Sequence, residues 1–239
     1  MHLFISLVMA IAPSIFLVCY YYKQDIKKPE PKHLITRIFL IGIVFTIPAI
    51  VLEIFFDEIF VFIMKDSIVH DLFKAFIVAA LIEESIKLLI VKWFAYNHVH
   101  FDEVMDGIVY TIMASLGFAC LENIIYVIGG GFTIALVRAI TAIPMHAVAS
   151  GMMGYYIGKA KFSDNKTAER SLILKGLWYA VLIHGIYDFL LFASPRIGII
   201  FVLGVFPLIV ITFFILREKI NLAIAEDFQA GRHELFNIE

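Results

Sequence analysis

The sequence predicts an all-α polytopic membrane protein, a bundle of about seven transmembrane helices with its N-terminus outside and its C-terminus in the cytoplasm. Three observations predict it. Of 239 residues, 62% are hydrophobic and only 17% charged, with a mean hydropathy of +0.92. A soluble domain is nearer half apolar and a quarter charged, and its surface could not absorb this excess. Second, seven apolar runs reach the roughly 20 residues that a helix needs to cross the hydrocarbon core. Third, Lys and Arg gather in alternate loops, which sets the orientation.

In chain order the runs are 3–22, 34–56, 70–95, 106–128, 133–158, 172–193 and 197–216. The first lacks a basic leader and a small-residue cleavage site, so it reads as a retained helix. The stretch 57–69 is too short to span and is expected to lie along the interface. Gly129, Gly130 and Gly131 mark a tight outer turn between the fourth and fifth runs. The loop after the first run carries Lys23, Lys27, Lys28, Lys32 and Arg37. The loop after the fifth carries Lys159, Lys161, Lys166, Arg170 and Lys175, and Arg217, Lys219 and Arg232 follow the last run. The opposite loops offer only Lys65, Lys74 and Arg196. Residues 1–216 are therefore expected to form one transmembrane bundle, with a motif-bearing core over 70–192, and 217–239 a cytoplasmic tail read as a solvated or interfacial terminus. Cys19 and Cys120 lie in apolar runs and read as buried, unpaired packing residues. A net charge of −2 gives no basis for a nucleic-acid partner.

Ionisable residues inside a span are costly and point to function. The third run holds Glu83, Glu84 and Lys87; the fourth holds Phe118, Glu122 and Asn123. Arg138, Pro144 and His146 lie in the fifth, and His184 and Asp188 in the sixth. Counted from the outer ends at 1.5 Å per residue, the acids and imidazoles fall roughly 8 to 20 Å below the outer surface, so they can meet in one cavity. His184 and Asp188 share a helix face, as do Phe118 and Glu122, and Glu83 and Lys87, whereas Glu84 points about 100° away. Pro144 should kink the fifth helix and free a backbone carbonyl near His146. Arg138 either reaches the outer surface or pairs with Glu122. Asp102, Glu103 and Asp106 suit the positive start of the fourth helix. Each residue alone has a packing explanation, but the convergence of four spans at one depth does not.

Hydrolysis of a peptide bond needs a water, a base for its proton and donors for the oxyanion. Two adjacent carboxylates resist joint ionisation, which suits one of them to serve as base. Lys87 can hold the other charged, and the imidazoles can orient water or the oxyanion. Two further readings compete. His146, His184 and Glu122 could instead hold zinc with an open position for water. A proton-coupled transporter or channel could use the same acids as a relay, although no internal repeat supports it. A non-catalytic scaffold on the same helices is a third alternative.

Glu83-Glu84-x-x-Lys87, Phe118-x-x-x-Glu122-Asn123, His146 and His184-x-x-x-Asp188, in this order on successive helices, resemble the PrsW intramembrane proteases. These belong with the CAAX prenyl-protease and bacteriocin-processing superfamily. The resemblance covers about residues 70–192 and takes in the run Asp106-Gly-Ile-Val-Tyr110. It implies a glutamate-dependent endopeptidase of the bacterial cytoplasmic membrane, with no required cofactor. Its substrate would be a single-pass membrane protein such as an anti-sigma factor, cut on the outer side in a stress response. Carried over, Glu83 resembles the water-activating carboxylate and Glu84 its partner, and His184 resembles the oxyanion donor. Glu122 stands where the CAAX branch has a water-orienting His, and Asp188 where it has an Asn. That branch also has Arg one position beyond Lys87. These departures favour the PrsW branch over prenylated substrates and leave the base open among Glu83, Glu84 and Glu122. Seven helices can bury the site in one subunit, so no oligomer is required.

Overall fold

The first two crossings are α1, His2–Tyr22, and α2, Lys32–Met64. The computed structural model describes residues 2–25, 28–64 and 67–232. Lys27 and Lys65, counted in the charge bias, and tail residues 233–239 lie outside the described residues. At 33 residues, α2 is about 50 Å long against a hydrocarbon core of about 30 Å. The expected interfacial segment at 57–69 is therefore corrected in its first half, because residues 57–64 continue α2. Apolar side chains such as Val44, Ile47, Val51 and Phe62 stay exposed on this helix, as a lipid-facing surface requires. Cys19 is exposed as well, whereas Cys120 is buried as expected, and both are unpaired.

The third crossing is built from α3 (Ile68–Phe73), a π-helical segment (Lys74–Leu81) and α4 (Ile82–Phe94), which follow one another without a break. The Ser67 hydroxyl opens it by accepting from the His70 amide. Next comes α5, Val104–Ile140, interrupted at Gly131, where φ is 71° and ψ is −159°. Only glycine takes that conformation readily. The chain doubles back there, since Arg138 reaches Asn123 and Glu122, residues that a straight helix would hold more than 20 Å away. The predicted glycine turn is thus present.

The fifth crossing is corrected from one helix to two. Residues 132–140 are followed by a break at Thr141 and by α6, Ala142–Lys161. Pro144 has no N–H to give the Ile140 carbonyl, so the helix restarts with Pro144 in its first turn. Then come α7 (Lys166–Phe192), the short α8 (Ser194–Ile197), a 3₁₀ turn (Ile199–Gly204) and α9 (Val205–Gln229). Five helical stretches are long and apolar enough to cross a membrane. One of them, residues 104–161, contains the Gly131 reversal and so makes two crossings. The charged stretch 68–94 adds another, giving seven.

Helices α5 and α6 form the centre. Their backbones touch: a Cβ on Gly154 would stand 2.4 Å from the Gly107 carbonyl oxygen, and one on Gly117 2.0 Å from that of Phe39 in α2. Gly154→Leu should therefore force α5 and α6 apart. Overpacking of this kind costs about 1–3 kcal/mol or more, read as a lowered melting temperature of the detergent-purified protein. An unchanged melting temperature would contradict the packing described.

The two ends of the bundle differ in charge. At one end Lys28 pairs with Asp102 at 2.6 Å, Lys159 with Glu226 at 2.9 Å, and Lys161 donates to the Tyr96 carbonyl. Glu103 and Asp106 form a capping box at the start of α5, where acids suit the positive helix end as expected. The tail reading is corrected here, because the 216/217 boundary falls inside α9. Asp227 is fully buried and accepts from the Val104 and Met105 amides at 2.8 and 3.1 Å. The same end gathers Asp25, Glu30 and Glu103. Burial, aided by the charge of Glu30, raises the Asp25 carboxyl to about 7. Burial and the charge of Asp25 raise Glu103 to about 8. Unfolded, these groups titrate near 4, so between about pH 4 and 8 the native state holds more protons than the unfolded one. Stability should fall as pH rises through that window and then level off. Melting temperatures across pH 5–9 should show this, and Asp25→Asn with Glu103→Gln should flatten the slope.

Candidate active site

At the other end, four crossings bring their polar residues together. The π-helical segment inserts its extra residue just ahead of Glu83 and Glu84, a feature frequent at functional sites. It packs on α7, where the Phe76 ring lies so close to Gly185 that a Cβ there would stand 2.4 Å from it. Beyond it, Lys87 is fully buried and turns its ammonium back along α4. The ammonium donates to Glu84 Oε1 at 2.7 Å and Glu83 Oε2 at 3.1 Å, and lies 3.0 Å from His146 Nδ1. One cation thus holds both acids, although Glu84 points about 100° away from the face that Glu83 and Lys87 share. The Phe118 ring lies 4.7 Å from the same ammonium and adds a cation–π contact.

The two glutamates have different surroundings. Glu84 is fully buried. Its Oε1 also meets His184 Nδ1 at 2.9 Å, and its Oε2 accepts from the Ser150 hydroxyl at 2.8 Å. Among the described residues Glu83 takes one hydrogen bond, from Lys87, and it lines the cavity, which Glu84 does not.

On α5, Glu122 is held from two sides. Its Oε2 lies 2.9 Å from His146 Nε2 and its Oε1 is 2.9 Å from Arg138 Nη2, so Arg138 pairs inward. Lys87 has only protons to give, so His146 Nδ1 accepts and Nε2 carries the proton that goes to Glu122. Asn123 faces away from the acids. It donates to the Ala10 carbonyl and accepts from Arg138, which ties α1 to the site. On α7, His184 Nε2 lies 3.2 Å from Asp188 Oδ2 and 4.0 Å from Glu83 Oε2, and the His146 and His184 rings stand edge to face with centroids 4.9 Å apart.

These groups border a half-open cavity of about 680 Å³. Glu83, Glu122, His146, His184 and Asp188 all line it, so the expected convergence is present. Its walls also include residues that the sequence analysis missed: Glu53 and Asp57 of α2, Tyr126, and Tyr187 beside His184. Ser150 was missed as well, although it stands four residues after His146 on the same helix face. Glu53 lies inside the second apolar run and carried the same signal as the other buried acids, whereas Asp57 lies just beyond that run.

The model of the PrsW family of intramembrane metalloproteases matches residues 30–216. The chain belongs to this family. The Protease PrsW of Bacillus subtilis is 40% identical over 184 residues, 77% of this chain and 81% of that one. That of Geobacillus kaustophilus is 37% identical over 198 residues, 83% and 84% of the two chains. That of Clostridioides difficile is 32% identical over 232 residues, 95% and 93%. No solved structure matches the chain significantly. As a PrsW-family member the protein is a membrane-embedded peptidase, and its substrate is a protein of the membrane.

The family's description includes a metal, and donors of the right type are present. Ligand atoms of Glu83, Glu84, His146 and His184 all lie within 4.8 Å of one another, an N₂O₂ set that suits zinc. The arrangement nevertheless does not fit a metal, because the Lys87 ammonium stands within 3.1 Å of three of the four. It already supplies the positive charge there and would repel a dication. The set with Glu122 in place of the two acids fits no better, since Glu122 and Lys87 take up both nitrogens of His146.

Proposed function

We propose that the protein is a glutamate-dependent endopeptidase in which Glu83 is the general base. The observation that carries this is the contrast in partners. Glu84 is engaged by Lys87, Ser150 and His184, and Glu122 is held between His146 and Arg138, whereas Glu83 has a single hydrogen bond and faces the cavity. A water beside Glu83 loses a proton to that carboxylate while its oxygen adds to the peptide carbonyl carbon. Glu83 then passes the proton to the amide nitrogen as the C–N bond breaks. His184, steadied by Glu84 at Nδ1, turns Nε2 toward the cavity as donor to the oxyanion, with Asp188 orienting the ring. Lys87 is the counter-charge shared by the two acids, and the Arg138–Glu122–His146 chain positions Lys87 from the far side.

The cavity end faces outward in this reading, since the Lys/Arg-rich loops gather at the opposite end, which the positive-inside rule assigns to the cytoplasm. The protein then sits in the bacterial cytoplasmic membrane and cuts a single-pass protein such as an anti-sigma factor on its outer side, as the resemblance of its motifs implies. The seven crossings act as one catalytic bundle. Co-expression with tagged single-pass membrane proteins tests this: the protein should release a fragment carrying the outer domain. No cleavage of any candidate, at confirmed expression, would count against it.

The metalloprotease reading has one observation in its favour, the four clustered donors. Activity is expected to survive in protein stripped of metal by a strong chelator. Loss on chelation, recovery with zinc and one zinc per chain would replace Lys87 by a metal in this scheme.

A further inference from the structure

Six carboxylates line the cavity, those of Glu53, Asp57, Asp71, Glu83, Glu122 and Asp188, against two permanent cations, Lys74 and Arg138. Five of the six have a cationic or imidazole partner. Asp57 pairs with Lys74 at 2.7 Å, Asp71 with Arg196 at 2.7 Å, Glu83 with Lys87, Glu122 with Arg138, and Asp188 with His184. Glu53 is the exception. It projects from the middle of α2, and its Oε1 is shut off from solvent and accepts no hydrogen bond. It lies within electrostatic reach of Glu83, Glu122, His184 and Asp188. An unpaired acid among other acids at membrane depth costs stability, and neither the packing of α2 nor the water-activating step uses it.

We infer that Glu53 is a specificity-determining residue that receives a lysine or arginine side chain of the substrate next to the bond to be cut. Six carboxylates face the cavity, and the unpaired one sits on the wall beside the proposed base. A cationic side chain entering there supplies the partner that Glu53 lacks among the described residues. An acidic side chain at the same place would add a further negative charge to an already acidic wall. The inference rests on the protease reading above.

The test uses full-length protein in nanodiscs and membrane-anchored reporter peptides that differ only in having Lys, Ala or Glu at each position flanking the bond. At one position the wild type should show kcat/KM at least about tenfold higher for Lys than for Ala, as expected for a desolvated charge pair. Glu53→Gln should bring that ratio close to one, and Glu53→Lys should reverse it in favour of Glu. The Glu53→Gln protein should melt no lower than wild type, because the substitution replaces an acid whose Oε1 accepts no hydrogen bond. A wild type without preference at any position, or a preference that survives Glu53→Gln, overturns the inference. Binding of the fluorescent Lys and Ala reporters to Glu83→Gln protein, read by anisotropy, gives a second arm. If no reporter is cut at all, the protease reading fails, and this arm alone decides on Glu53. Tighter binding of the Lys reporter that Glu53→Gln removes supports the inference, and equal binding of both reporters overturns it.

Discussion

Glu83→Gln should lower the rate of substrate cleavage by roughly 10²–10⁴-fold, the range that a positioned general base contributes, with little change in melting temperature. The amide keeps the shape of the side chain and can still accept from Lys87, but it cannot take a proton from water. Glu84→Gln and Glu122→Gln should behave differently. Each acid is held by several donors, so these substitutions should reduce activity and stability together. Cleavage of a tagged single-pass membrane protein, at matched expression, separates the cases. Full activity in Glu83→Gln would sink the assignment of the base and move it to one of the other two acids.

Lys87→Met should be the most destabilising single change at the site. The ammonium is fully buried and holds Glu83 and Glu84 while lying against His146. Removing it leaves two acids buried without a counter-charge. Breaking a buried ion pair from one side costs about 3–5 kcal/mol, which should appear as a large drop in melting temperature and in membrane abundance. Adding Glu84→Gln to Lys87→Met should recover part of the loss, because one orphaned charge is removed with its partner. A Lys87→Met protein that melts like wild type and takes up a stoichiometric metal would show that the lysine was occupying a metal position.

Much of this architecture was legible in the chain. Apolar runs of spanning length are imposed by the bilayer and appear in any linear reading, so the crossings were found, with errors at their ends and one missed break, at Thr141 in the fifth. Those errors have local causes. Residues 57–64 are apolar enough to continue α2, and α9 runs on through residues whose charges resemble a tail. Glu83, Glu122, His146, His184 and Asp188 stood out because a charge at membrane depth is costly and therefore rare. Their sharing of one cavity followed from depth alone.

The sequence by itself determined the all-α membrane bundle, the family and the five residues Glu83, Glu122, His146, His184 and Asp188 that share the cavity, because each leaves a mark within a single helix. Only the tertiary structure decided how those residues are partnered. Lys87 bridges both glutamates, Glu84 is tied to Ser150 and His184, and Glu83 is left facing the cavity. It also decided that Glu53 of α2 belongs to the same wall. Pairings of this kind join helices far apart in the chain, and a polar residue's partners depend on rotations and crossings that spacing along one helix does not encode.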